Sequence, residues 1–286
     1  MKIGELRTVF LDALKGIYPS EEIESFFTLL MEAWLGYSRL DLTMKSESEV
    51  SSEVKVKIDD AIQRLKKEEP IQYIIGSTEF YGLTFEVNSH TLVPRPETEE
   101  LVDWIVREHG SGIDVLDIGT GSGCIAVSVA KSLPGSSVTA IDISEATLKV
   151  AERNAKRNGT HVDFRLLNVL ETDSLPGSYD LIVSNPPYVR EMEKEQMKGN
   201  VLLYEPEVAL FVPDDDPLLF YRRIVSLADT SLNNHGWLIF EINEYLGEDM
   251  CSLLEGSGLQ NVELRKDFRG KDRFIRGQKL FDDKAK

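Results

Sequence analysis

The chain has 286 residues, with 49 acidic against 32 basic side chains and a formal net charge of −17. Its length gives ample apolar material for one large or two modest cores. It shows neither a basic-then-apolar leader nor a run of about 18 apolar residues, so secretion and membrane spanning are not expected. The acidity argues against holding nucleic acid by its phosphates. Cys124 and Cys251 lie far apart and outside any CxxC or Cys/His cluster, which suggests neither a disulfide framework nor a zinc site. A monomer in the reducing cytoplasm is expected, with no metal, no membrane and no direct nucleic-acid partner.

Residues 1–70 read as a small helical domain: Leu6, Phe10 and Leu14 share one helical face, as do Ile58, Ile62 and Leu65. Ser20, followed by Glu21 and Glu22, looks like an N-cap with acids in the first turn. Residues 71–95 change to short β-type runs, "STEFYGLTFEV" with Gly82 at the bend, and read as a hairpin linker. From residue 96 to 286 strand and helix alternate. "PETEELVDWIVREH" opens a helix with proline in first position. There follow a buried strand "IDVLDI", a glycine turn, a helix over about 122–133, a strand "SVTAID", a helix from Ser144 ended by Asn158 and Gly159, and strands "VDFRLL" and "YDLIVS". A strand "GWLIFEI", a helix over about 244–255 and two further strands, "QNVELRKD" and "DRFIRGQKL", complete the pattern. This order predicts a Rossmann-like α/β fold, a mostly parallel doubly wound sheet with an antiparallel edge. The basic residues within 264–279 alternate with acids and fit a solvated edge hairpin better than a nucleic-acid patch.

Gly119, Gly121 and Gly123 stand directly after a buried strand, where a ligand can approach the backbone closely and a helix amino terminus offers N–H groups. The spacing GxGxG places Cys124 where a dinucleotide fingerprint needs its third glycine, and no lysine follows as a P-loop requires. Asp142 tips the next strand, about twenty residues on, where a carboxylate can take both ribose hydroxyls; a turn or cap aspartate is the alternative. The combination favours an adenosine-containing ligand without a pyrophosphate, and S-adenosylmethionine fits best. Asn168 is placed where its amide could meet the adenine edge, with Val169 against the ring; a plain turn asparagine is equally compatible.

"SNPPYV", residues 184–189, ends the fourth strand at a topological switch point, where ligands of such sheets bind. Two prolines prevent further ladder pairing, so the Pro186 carbonyl is left pointing outward. With the Asn185 side-chain oxygen it makes two acceptors on a stiff loop, suited to a planar NH2 whose nitrogen faces a cofactor's methyl group. Tyr188 is expected to supply a flat face for the planar group. A strand-ending turn is the plainer alternative.

"DIGTGSGCIA" with "SNPPYV" resembles class I methyltransferases that act on amide or exocyclic amino nitrogen. "PIQYIIGSTEFYG", "LVPRPETEEL", "YEPEVAL" and "FRGKDRF" are similar to the PrmC/HemK family, the protein-(glutamine-N5) methyltransferases of peptide chain release factors. The resemblance covers residue 70 to the end, and the first 70 residues match it in being helical. It implies that Asp117, Gly119, Thr120, Gly121, Ser122, Gly123, Asp142, Ile143, Asn168, Val169 and Asn185 hold S-adenosylmethionine, with S-adenosylhomocysteine as product. It further implies that Arg95, Asn185, Pro186, Pro187 and Tyr188 hold the glutamine of a Gly-Gly-Gln loop, with Asn185, Pro186 and Tyr188 catalytic. The helical domain would recognise the release factor, and methylation would tune translation termination. Asn168 and Val169 stand where an aromatic residue is sometimes found. Glu205 reads as a turn acid, and Arg95 has a surface arginine as its plain alternative. A DNA adenine-N6 methyltransferase would use the same NH2 geometry after base flipping, but no basic target-recognition region is evident. A non-catalytic module docking on release factors leaves the intact Asn-Pro-Pro-Tyr unexplained.

Overall fold

The computed structural model describes residues 1–197 and 199–280, which fold as two compact units: residues 1–76 with 199–204, and residues 77–197 with 205–280. The first unit contains α1 (Ile3–Leu14), α2 (Ser20–Leu35), α3 (Arg39–Met44), α4 (Ser52–Leu65) and α5 (Ile71–Ile75). The apolar face read from the sequence is buried: Leu6, Phe10 and Leu14 of α1 meet Ile23, Phe27, Leu30 and Met31 of α2 and Ile58, Ile62 and Leu65 of α4. The Phe10 and Phe27 rings lie 5.5 Å apart. Helix α2 starts one residue earlier than expected, because Pro19 holds the N-cap position and Ser20 is already helical. Residues 71–75, expected at the start of the linker, are a helical turn whose Ile71 and Ile74 join this core, and left-handed Gly76 ends it. The β-type residues of "IQYII" are thus overridden by burial.

The second unit begins with a hairpin, β1 (Ser77–Phe80) and β2 (Leu83–Glu86), turned by Tyr81 and Gly82 at positive φ. Phe80 and Phe85 are buried edge to face, 5.8 Å apart. Then come α6 (Pro96–Glu108), β3 (Asp114–Ile118), α7 (Cys124–Ser132), β4 (Ser137–Asp142), α8 (Glu145–Asn158), β5 (Asp163–Leu166) and β6 (Tyr179–Ser184). Helix α8 ends as expected at Gly159 in left-handed conformation, and Ser144, expected as its first residue, is its N-cap, accepting from the Thr147 N–H. Beyond β6 lie a two-residue parallel pair, β7 (Val189–Arg190) with β8 (Phe211–Val212), and, clustering with the first unit, α9 (Gly199–Tyr204). The chain ends in α10 (Leu219–Ser231), β9 (Leu232–Glu241), α11 (Gly247–Gly256), β10 (Gln260–Lys266) and β11 (Asp272–Gln278).

The seven-stranded sheet has the order β10-β11-β9-β6-β3-β4-β5, parallel from β9 to β5, with β11 running against both its neighbours. Central strands are apolar on both faces because both are covered. Val115 packs with α6, α7 and the hairpin, while Leu116 and Ile118 pack with α10 and α11. Alongside the short α9, β7 and β8, the longest element the sequence reading lacks is helix α10. Its buried residues Tyr221, Ile224, Val225 and Ala228 have helical spacing, but Leu218 supplies no side-chain cap to announce the start. The basic residues of β10 and β11 are taken up in ion pairs, Arg276 with Glu263, Lys266 with Asp272 and Arg273 with Asp267.

Candidate functional site

From β3 the chain steps to β4 and β5 on one side and later to β6 on the other. The loops leaving the carboxyl ends of β3 and β6 therefore part, and a crevice opens between them. A cavity of about 530 Å³ lies there, lined on one side by the glycine turn and Asp142 and on the other by Asn185, Pro186 and Pro187.

The glycine turn is built largely from local hydrogen bonds. Gly119 and Thr120 N–H groups donate to the Ile141 carbonyl at 2.9 and 3.1 Å, and the Gly123 N–H donates to Thr120 at 2.9 Å. Gly119 and Gly121 sit at φ +74° and +57° with open space where a side chain would start, so the turn offers bare backbone to the cavity. Gly123 serves a different purpose. It lies off the cavity wall, and a Cβ there would stand 3.1 Å from the Ala151 methyl, so it permits α7 to approach α8.

Asp142 combines both readings made from the sequence. It lines the cavity, and its carboxylate accepts from the Ser144 N–H and the Gly121 N–H, each at 3.0 Å. It is thus a turn aspartate that also pins the glycine loop, with lone pairs remaining. Burial raises its pKa above the ordinary carboxylate value. Asp117, expected among the binding residues, lies beneath the turn and off the wall. One of its oxygens accepts from the Thr120 hydroxyl (2.7 Å) and the Ala126 N–H (3.3 Å), capping α7 from the strand. The other oxygen is buried without a partner among the described residues, as is the Ser122 hydroxyl. Burial pushes Asp117 up to about 7. Asn168 and Val169 both line the cavity, and the Asn168 side-chain oxygen accepts from the Leu170 N–H at 3.0 Å, which leaves the NH2 as the group it can offer.

On the opposite wall, the Asn185 NH2 faces the Thr98 hydroxyl at 3.5 Å, and Thr98 in turn donates to Glu241 at 2.7 Å. Neither the Asn185 side-chain oxygen nor the Pro186 carbonyl has a hydrogen-bond partner among the described residues. Tyr188 departs from expectation. It does not line the cavity; its ring packs on the core beside α10, and its hydroxyl donates to Glu241 at 3.2 Å. The Tyr188 carbonyl is held by the Asn243 side-chain NH2 at 3.1 Å. Glu241 is 1 % exposed, and burial raises its pKa while Thr98, Arg273 and Tyr188 oppose the rise.

Arg95 lines the cavity and pairs with Glu205 at 2.7 Å. Glu205 is no solvated turn acid: its side chain is 1 % exposed, and it also accepts from the Val93 N–H at 3.2 Å.

Residues 5–76 match the family model of the PrmC N-terminal domain and residues 97–210 that of the Methyltransferase small domain. The chain is 48% identical over 281 residues to the release factor glutamine methyltransferase of Flavobacterium psychrophilum, covering 96% of this chain and 99% of the relative. The chain belongs to the release factor glutamine methyltransferase family. A second relative of that name, from Bacteroides thetaiotaomicron, is 48% identical over 264 residues, covering 92% and 95% of the two chains. A crystal structure of a methyltransferase from Pyrococcus furiosus matches the fold with TM-score 0.53 at 21% identity, over 78% of this chain and all of that one.

This member of the family is thus a methyltransferase whose sequence-predicted wall residues mostly converge on one cavity. Thr98, Glu241 and Asn243 escaped the sequence reading, as did Phe211 and Phe220, which bring aromatic rings to the wall. Thr98 lies within the noted "PRPET" stretch. Glu241 carries a signal of its own, a lone acid inside an otherwise apolar strand "GWLIFEI", where an unpaired charge would be costly.

Proposed function

We propose that this chain transfers the methyl group of S-adenosylmethionine to the side-chain amide nitrogen of the glutamine in the Gly-Gly-Gln loop of peptide chain release factors, and so tunes translation termination. The glycine turn, Asp142 and the apolar side chains around Asn168 and Val169 fit such a cofactor. Bare backbone at Gly119 and Gly121 admits close approach, Asp142 retains acceptor capacity for ribose hydroxyls, and Asp117 and Ser122 each keep a buried polar atom without a partner among the described residues. The cofactor supplies an electrophilic methyl group on a sulfonium, leaving S-adenosylhomocysteine.

The observation that carries the reading is that Asn185 and Pro186 line the cavity while neither Asn185 Oδ1 nor the Pro186 carbonyl has a hydrogen-bond partner among the described residues. An amide NH2 offers two hydrogens in one plane. Two acceptors held by a proline-stiffened loop would fix that plane and draw the nitrogen lone pair out of conjugation. The same acceptors would stabilise the positive charge that grows on the amide nitrogen as it takes the methyl group from the departing sulfur; the nitrogen would then lose a proton to solvent. Arg95, anchored by Glu205 at the wall, is positioned to hold the glutamine-bearing loop.

The test is methyl transfer from labelled S-adenosylmethionine with the purified chain. Label is expected on intact release factor and not on adenine-containing DNA. Label on DNA alone would replace this reading with the adenine-N6 one, and no transfer to either would remove it.

A further inference from the structure

Asn185 can serve the proposed reaction only in one of its two amide orientations. The terminal torsion of asparagine is roughly two-fold, so exchanging Oδ1 and Nδ2 costs little by itself. With Oδ1 toward the cavity the residue accepts; turned over, it meets a substrate NH2 with another NH2.

The surrounding backbone does not choose between these orientations. Pro186 and Pro187 fix their own φ, and Asn243 holds the Tyr188 carbonyl at 3.1 Å, so the loop stays in place whichever way the amide faces. The choice is made by a chain of hydrogen bonds starting at Glu241. Both its oxygens act as acceptors, one toward the Tyr188 hydroxyl at 3.2 Å and the other toward the Thr98 hydroxyl at 2.7 Å. Two hydroxyls donating to its two oxygens is the pattern of an ionised carboxylate, which cannot donate; burial raises its pKa, and the bonds from Thr98 and Tyr188 and the charge of Arg273 counter that rise. A hydroxyl has one hydrogen, and Glu241 claims the one on Thr98. What Thr98 can turn toward Asn185 is a lone pair, and only the NH2 edge of Asn185 can meet a lone pair. At 3.5 Å this last contact is long, as contacts in a ligand-free site commonly are before substrate tightens them.

We infer that Thr98, polarised by the buried carboxylate of Glu241, is a positioning residue that fixes the Asn185 amide with its oxygen toward the substrate. The inference rests on the proposed function. Neither Thr98 nor Glu241 bonds the reacting atoms; the pair acts through Asn185.

The test compares Thr98→Val, Thr98→Ser and wild type as full chains, with intact release factor and S-adenosylmethionine. Thr98→Val is nearly isosteric and removes the hydroxyl. It should lower kcat by about tenfold to a hundredfold, the cost of a misaligned acceptor, while the Kd for S-adenosylmethionine and the KM for release factor stay within about twofold of wild type. Thr98→Ser restores the hydroxyl and should return kcat to within a few-fold. Added to Asn185→Ala, Thr98→Val should have no further effect on kcat, because the residue it orients is gone. If Thr98→Val leaves the buried charge too poorly paired to fold, the double variant Thr98→Val, Glu241→Gln removes that charge and should show the same loss of kcat. A folded Thr98→Val or double variant with wild-type kcat overturns the inference, as does a loss that Thr98→Ser fails to repair. Absence of methyl transfer by wild type would instead defeat the function on which the inference stands.

Discussion

The two walls of the cavity are held by different means. The glycine turn is tied by backbone bonds to Ile141, by the carboxylates of Asp117 and Asp142 and by the Asn154 NH2 on the Ser122 carbonyl, all within residues 117–154. The Asn185 loop is tied by side chains from two distant places in the chain: Thr98 on α6, and Glu241 with Asn243 at the end of β9 and just beyond it. A wall that turns bare backbone to the cavity, as at Gly119 and Gly121, presents a generic cradle. A wall made from a polar side-chain network has every member depending on the others, and a group left unpaired is costly. The first arrangement suits a cofactor shared by many reactions, the second a step that needs one amide orientation.

The largest expected effect sharpens this contrast from beneath the glycine turn. Asp117 titrates at about 7 in the fold against 3.8 when free, which corresponds to on the order of 4 kcal/mol against its ionised form. The folded chain thus holds a proton that the unfolded chain gives up. This contribution to stability is complete below pH 3.8 and is lost as pH rises through about 7. Burial sets the rise, Asp142 adds to it, and the hydrogen bonds from Thr120 and Ala126 oppose it. Asp117→Asn removes the titration, so urea midpoints of the ligand-free protein should fall less between about pH 5 and about pH 8 for the variant than for wild type. Parallel profiles would mean the carboxylate is well accommodated at both.

Next in size is Asn185→Ala, which removes one of two acceptors and should lower kcat by about a hundredfold, the scale of losing one preorganised hydrogen bond. Calorimetry should find cofactor affinity nearly unchanged. A variant with full turnover and a lowered Tm would return "NPPY" to a structural turn. Asp142→Ala should act on the other quantity, weakening S-adenosylmethionine binding by roughly 1–3 kcal/mol while sparing kcat at saturating cofactor. Because Asp142 also holds the Gly121 N–H, a modest loss of thermal stability should accompany it. The smallest effect is expected of Tyr188→Phe. It deletes one bond to Glu241 while Thr98 remains on that carboxylate, so kcat should fall about fivefold, in line with ~1 kcal/mol for one hydrogen bond. A loss matching that of Asn185→Ala would give the Tyr188 hydroxyl a direct part in the chemistry.

The same contrast explains what the sequence reveals. The glycine turn, Asp142, the Gly159 end of α8 and the order of strands are local patterns, and each appears where spacing places it. Asn185 and its prolines are legible too, because they interrupt a strand at the switch point. The support behind them is not, since Thr98, Glu241 and Asn243 are separated from Asn185 by 87, 56 and 58 positions, and no local rule joins them. Tyr188 shows the limit most clearly: sequence gives a phenol beside the site, but only the fold shows its ring turned into the core. Glu205 is the converse, an acid in an apparent turn that burial makes the anchor of Arg95.

The most direct test of the account is to incubate the purified chain with S-adenosylmethionine and an intact release factor and to locate the product by peptide mass spectrometry. The account predicts one added methyl group, on the side chain of the glutamine in the Gly-Gly-Gln loop, formed by wild type and nearly abolished in Asn185→Ala. A methyl group on another residue, or equal yields from the two enzymes, would contradict it.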